Sequence, residues 1–176
     1  MPRLIAYIGG IRSGKSRLAE QRFIKEVEKK GLAAAYLATL DSSLIRGDKD
    51  MRQRLSGHQA RRPKSWLTLE VRSNLEGALK KALAVGSSAV FLDGLGMWVS
   101  LMLTSKKVPE ASAAFAKSLK KQAFSVVVLD EAGQGGVQLN RLARRFSDLN
   151  GLVNQAVCSV ADEVWRVDAG IAVRIK

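Results

Sequence analysis

Short apolar runs alternate along this chain with longer stretches in which apolar residues recur every three or four positions. Leu4 to Ile8 reads as a buried strand, and Lys15 to Lys30 carries Leu18, Ala19, Phe23 and Val27 at helical spacing before stopping at Gly31. Leu32 to Ala38 predicts a second buried strand. The polar stretch Thr39 to Asp50, with Gly47, predicts a loop, and Met51 to Gln59 returns to a helical pattern. Leu67 to Val71 predicts a short strand, Leu75 to Val85 a helix, and Ala89 to Leu92 a strand ending at Asp93. Trp98 to Leu103 is apolar, and Ala111 to Lys121 is helical. Ser125 to Leu129 predicts a strand ending in Asp130-Glu131, after which Gly133, Gly135 and Gly136 break the pattern. Helices follow at about Leu139 to Phe146 and Val153 to Ala161, then a hairpin of Val164 to Val167 and Ala172 to Ile175. Strands alternating with helices predict a mostly parallel sheet covered on both faces, and nothing resembling a repeat or a linker divides the chain.

Composition narrows the picture. A chain of 176 residues suits one α/β domain, taken here as 1–176, able to fold without disulfides or structural metal. Cys158, the one cysteine, has no internal disulfide partner and no His/Cys cluster beside it. Met1-Pro2-Arg3 leads into an apolar run too short to span a membrane, so the expectation is a soluble, cytoplasmic protein. Lysine and arginine number 29 against 16 acidic residues, a formal charge of +13 that suits polyanionic partners without choosing among nucleotide, nucleic acid and anionic lipid.

The sharpest chemical signal is Gly9-Gly10-Ile11-Arg12-Ser13-Gly14-Lys15-Ser16 between the first strand and the first helix. Glycines let consecutive N–H groups converge on phosphate, Lys15 adds a point charge, and Ser16 offers a hydroxyl to Mg2+. The expected fold is therefore a three-layer, RecA-like P-loop NTPase with a C-terminal antiparallel hairpin. Two strand-end acids compete for the metal, Asp93 and Asp130, and pattern alone favours Asp130 because Glu131 follows it. His58 is the only histidine and stands in an arginine-rich segment. Such a residue is commonly an ordinary surface side chain, although neutral imidazole is a competent nucleophile toward phosphorus.

Taken together, GGIRSGKSRLAE, Tyr36-Leu37-Ala38-Thr39, the D-x-D-M-x-x-R-L-x-x-H run from Asp48 to His58, and R-R-P-x-x-W-x-T-x-E ending at Glu70 resemble the bifunctional adenosylcobinamide kinase/adenosylcobinamide-phosphate guanylyltransferase family of cobalamin biosynthesis. Asp93 with Leu95 and Trp98, Glu131-Ala132-Gly133, and the run from Asn140 to Asp148 with Asn154-Gln155 and Ala161 to Val164 extend the resemblance over nearly the whole chain. It implies phosphorylation of adenosylcobinamide, then transfer of GMP from GTP to adenosylcobinamide phosphate through a guanylyl-histidine at His58. It implies nucleotide contacts from Gly9 to Ser16, Thr39, Gln59, Ala60, Arg61, Arg62, Glu70 and Asp93, with Mg2+ on Ser16 and Asp93, ATP or GTP as donors, and a homotrimer. Asp130 falls where that family has asparagine, which moves the metal assignment to Asp93. The chain also departs from the pattern at Asp50, Gly94, Gly96 and Gly136. Two other readings stand beside this one, a divergent nucleotide-binding relative lacking one or both transfers and a nucleic-acid-associated P-loop ATPase. Single-strand binders use aromatic stacking platforms, and only 6% of residues here are aromatic.

Overall fold

The computed structural model describes residues 1–39, 47, 49, 53, 56, 57, 62–133, 136 and 138–176. The loop expected from Thr39 to Asp50 and the helix expected from Met51 to Gln59 lie mostly outside them. Strands β1 (Leu4–Gly9), β2 (Ala34–Ala38), β3 (Leu67–Glu70), β4 (Ala89–Asp93), β5 (Phe124–Asp130), β6 (Glu163–Asp168) and β7 (Ile171–Arg174) form one sheet in the order β3-β2-β4-β5-β1-β6-β7. Every pairing is parallel except β6 with β7. β1, β2, β4 and β5 are apolar along nearly their whole length, Ser125 and the terminal Asp93 and Asp130 excepted, because both of their faces are covered.

Alternation along each strand feeds two separate cores. On one face α1 (Lys15–Lys30) sets Ala19, Phe23 and Val27 against Ile5, Tyr36, Phe91 and Phe124. The Phe23 ring meets Phe91 edge-on at 5.3 Å and stacks on Phe124 at 5.6 Å. On the other face lie α2 (Leu75–Ala84), α3 (Leu95–Leu101), α4 (Val108–Lys120) and α5 (Arg141–Val160), which bury Leu79, Trp98, Phe115 and Val157 against Leu4, Leu37, Leu92 and Val127. Helix, sheet and helix make three layers.

Several boundaries differ from expectation for local reasons. β2 begins at Ala34 rather than Leu32, because Gly31 closes α1 at φ 59° and the Leu32 N–H bonds back to Val27 O at 3.1 Å. α4 starts earlier than Ala111, with Pro109 in its first turn where no N–H is needed. The two helices expected near the C-terminus are one, Arg141–Val160, opened by Asn140 capping the Leu142 and Ala143 N–H groups.

Parallel order brings the strand ends together. Gly9 pairs with Asp130, and Ala38 with both Asp93 and Glu70, so these acids share the carboxyl edge from which the phosphate loop departs. Ligands of open α/β sheets bind outside this edge.

Candidate active site

β1 delivers the chain to the carboxyl edge at Gly9, and the next residues turn directly into α1. Arg12 at φ 58° and Gly14 at φ 93° are left-handed, and the Ser13 N–H closes the turn on Gly10 O at 3.3 Å. This alternation aims successive N–H groups into one concavity, at the N-terminus of a 16-residue helix. Ser13 Oγ is buried beside Gly9 and has no hydrogen-bond partner among the described residues. A buried polar atom of this kind fits a site built for a polar ligand.

Two close approaches fix the loop. A Cβ on Gly9 would stand 2.3 Å from Val167 O on β6 and 2.7 Å from Ser13 Oγ. The two-residue turn Ala169-Gly170, left-handed at both positions, donates its Gly170 N–H to Ser13 O at 2.8 Å. Gly9→Ala should therefore force β1 away from β6 and lower stability by about 2 kcal/mol, read as a lower urea midpoint with an unchanged slope. An unaltered midpoint would contradict this packing.

Lys15 is 8% exposed, and its Nζ donates to Gly10 O at 3.1 Å and lies 3.0 Å from Asp130 Oδ1. Ser16 Oγ donates to Asp93 Oδ1 at 3.2 Å, while the Tyr36 hydroxyl donates to Asp93 Oδ2. Burial first, then the Asp93 charge, raises the Tyr36 pKa far above its ordinary value, so the phenol remains a proton donor. The Arg62 guanidinium lies 3.4 Å from the centroid of the Tyr36 ring. A serine hydroxyl and one carboxylate at the mouth of a phosphate loop form the sparse, hard oxygen set that suits magnesium, which takes its other ligands from phosphate and water. In keeping with that sparseness, no group of three or more His, Cys, Asp or Glu that could hold a metal occurs among the described residues.

Tyr36→Phe should remove one bond to a charged acceptor and cost about 2 kcal/mol. It should also raise the Mg2+ concentration needed for nucleotide binding, because Asp93 loses part of its orientation. Denaturant unfolding and a Mg2+ titration at fixed nucleotide check the two effects, and an unchanged Mg2+ requirement would separate Tyr36 from the metal site.

Of the other residues expected at the site, Thr39 is 1% exposed and donates its hydroxyl to Asp93 O at 3.1 Å and to Gly94 O, clamping the end of β4. Glu70 ends the outer strand β3 and is exposed. Gly10, Ile11 and Arg12 form the outward side of the loop. His58, Gln59, Ala60 and Arg61 lie outside the described residues.

The reading of the sequence gave no role to Asn150 and Asn154. They stand one turn apart on α5, are 1% and 8% exposed, and both donate to Asp130 O, at 2.6 and 2.9 Å. Their signal was two asparagines at i, i+4 on a helix face that also buries Val153 and Val157.

A family model for cobinamide kinase / cobinamide phosphate guanyltransferase (CobU) matches residues 5–175. The chain is similar to the bifunctional adenosylcobalamin biosynthesis protein CobP of Pseudomonas aeruginosa, 32% identical over 96% of this chain and 95% of the relative. It is also similar to the bifunctional adenosylcobalamin biosynthesis protein CobU of Salmonella typhimurium, 34% identical over 98% and 99% of the two chains. Among solved structures, a KaiC-like protein from Pyrococcus horikoshii superposes with a TM-score of 0.50 at 13% identity, over 94% of this chain and 70% of that one, a likeness of fold that agrees with the RecA-like P-loop class.

Proposed function

The chain belongs to the cobinamide kinase / cobinamide phosphate guanyltransferase family, and on that premise we propose that it phosphorylates adenosylcobinamide and then transfers GMP from GTP onto the new phosphate. The observation that supports this most directly is the phosphate loop with Lys15 aimed inward and Ser16 Oγ 3.2 Å from the Asp93 carboxylate.

In the first step the loop N–H groups and Lys15 hold the triphosphate of ATP or GTP, and the γ-phosphoryl passes in line to the substrate hydroxyl, whose proton leaves to solvent or a nearby base. Such a transfer needs positioning and charge stabilisation more than covalent help. Magnesium, held by Ser16 and Asp93, would neutralise triphosphate charge. In the second step a ring nitrogen of His58 attacks the α-phosphorus of GTP, forming an N–P bond as the P–O bond to pyrophosphate breaks. An oxygen of adenosylcobinamide phosphate then attacks that phosphorus, the N–P bond breaks, and the imidazole is restored. Arg61 and Arg62 are assigned to the charge on the transferred group. Gln59, Ala60, Thr39 and Glu70 complete the nucleotide pocket.

Arg62 supports its own assignment, since its guanidinium covers Tyr36, which bonds the Asp93 carboxylate. The whole chain, 1–176, acts as one nucleotide-binding and transferase domain, in the cytoplasm and as a homotrimer. No helix among the described residues is long and apolar enough to cross a membrane.

The test supplies adenosylcobinamide, GTP and Mg2+ to purified protein and follows products by mass spectrometry. Adenosylcobinamide phosphate should appear first and its GMP adduct second. A protein that binds GTP yet yields neither product would be a nucleotide-binding relative and not this enzyme.

A further inference from the structure

The Asp130 carboxylate stands between two parts of the site. Its Oδ1 lies 3.0 Å from Lys15 Nζ. Its Oδ2 faces the first turn of α3, where a Cβ on Gly96 would come within 2.6 Å of it and one on Gly94 within 3.7 Å. The backbone beneath is locked, since Asp130 pairs in register with Gly9 and its carbonyl accepts from both Asn150 and Asn154. The fold thus holds the carboxylate, and the carboxylate holds the lysine. Lys15 is 8% exposed, so its ammonium has little water to turn to when that partner is removed. With its N–H groups directed at Gly10 O and Asp130 Oδ1 and only 8% of the residue exposed, the ammonium leaves a triphosphate oxygen little room that does not adjoin Asp130. Both groups are anions, and their crowding costs energy in a site with low effective dielectric.

We propose that Asp130 is a positioning residue that competes with phosphate for Lys15, holding the lysine in the nucleotide-free site and setting triphosphate affinity through its own displacement. Gly96 is the small residue that gives the carboxylate room to stand there. The proposal rests on the reading that triphosphate binds at Lys15.

Asp130→Asn keeps the shape and removes the charge. Titration calorimetry with GTP, in excess Mg2+ and separately in EDTA, should show affinity rising about tenfold in both, the loss of one charge-assisted contact discounted because the Asp130 side chain is 35% exposed. The nucleotide-free variant should melt at a lower temperature than the unaltered protein, because Lys15 has lost its partner. A purely structural role would weaken stability and binding together, whereas competition moves them in opposite directions. Gly96→Ala, whose methyl would push the carboxylate off Lys15, should also tighten GTP binding, and should do so far less in the Asp130→Asn background. Unchanged or weaker GTP affinity in Asp130→Asn overturns the proposal, and weakening confined to Mg2+ would make Asp130 a metal ligand instead. Lys15→Ala separates the two layers of the argument. If it binds GTP normally, the reading of the site fails, whereas if it loses binding while Asp130→Asn gains none, only the competition fails.

Discussion

Lys15→Ala is expected to weaken ATP and GTP binding by at least about a hundredfold while leaving the protein nearly as stable as before. The Lys15 ammonium is 3.0 Å from Asp130 and 3.1 Å from Gly10 O. Bound triphosphate would replace the carboxylate with phosphate oxygens, and two charge-assisted bonds are worth roughly 3–6 kcal/mol before the lost internal pair is subtracted. A net of about 3 kcal/mol is a little over a hundredfold in Kd. The folded chain loses much less. Asp130 keeps 35% of its side-chain surface in water after Lys15 is truncated, so its charge stays solvated and the cost should be about 1 kcal/mol or less. Calorimetry on a variant with an unchanged circular dichroism spectrum checks both statements. Undiminished affinity would mean that the phosphates bind elsewhere.

The parts of this site that were legible in the sequence are those whose chemistry is local. Gly9 to Ser16 declares its conformation through residue type, since only glycine fits where a Cβ would meet Val167 O at 2.3 Å. Val126-Val127-Val128-Leu129 and Ala89-Val90-Phe91-Leu92 declare buried parallel strands by unbroken apolarity. Whether Asp93 or Asp130 faces the Ser16 hydroxyl was not legible, because it depends on strand order. β5 lies directly beside β1 and β4 one strand further out. Asp130, opposite Gly9, therefore meets Lys15, while Ser16 reaches across to Asp93. Resemblance pointed to Asp93 before any geometry did.

One helix, α3, goes unassigned from the sequence and another, α5, is divided in two, for different physical reasons. α3 buries Leu95, Gly96, Trp98 and Val99, which leaves too little of its circumference polar for a period to show. α5 passes through Asn150-Gly151, which on propensity is a break costing about 1 kcal/mol. Tertiary contacts override it, because Asn150 and Asn154 must sit one turn apart to hold Asp130 O, and Val153 and Val157 fill the core between and beyond them. The residue types that argued against a helix at Asn150 are the ones the site uses.

His58→Ala should divide the two activities. In the proposed kinase step the working residues are Lys15 and Ser16 on α1 and Asp93 on β4, and no histidine is among them. Phosphorylation of adenosylcobinamide should therefore change only a few-fold. GMP transfer by the proposed route is different in kind, because that route needs a nucleophile that forms and later breaks a bond to phosphorus, and the chain contains one histidine. Without that imidazole the proposed histidine adduct cannot form, and transfer should fall by at least about a thousandfold, as when a covalent nucleophile is removed from other enzymes. The variant should bind GTP nearly as well as the unaltered protein, since the phosphate loop is intact. The experiment uses GTP labelled on the α-phosphate with Mg2+, followed by denaturation and a search for acid-labile label on the protein. Label on the unaltered chain and none on His58→Ala, with adenosylcobinamide phosphate still accumulating, is the expected result. Equal label on both proteins would assign the nucleophile to another residue, and loss of both activities in a folded His58→Ala protein would mean that the segment from His58 to Arg62 serves the kinase step as well.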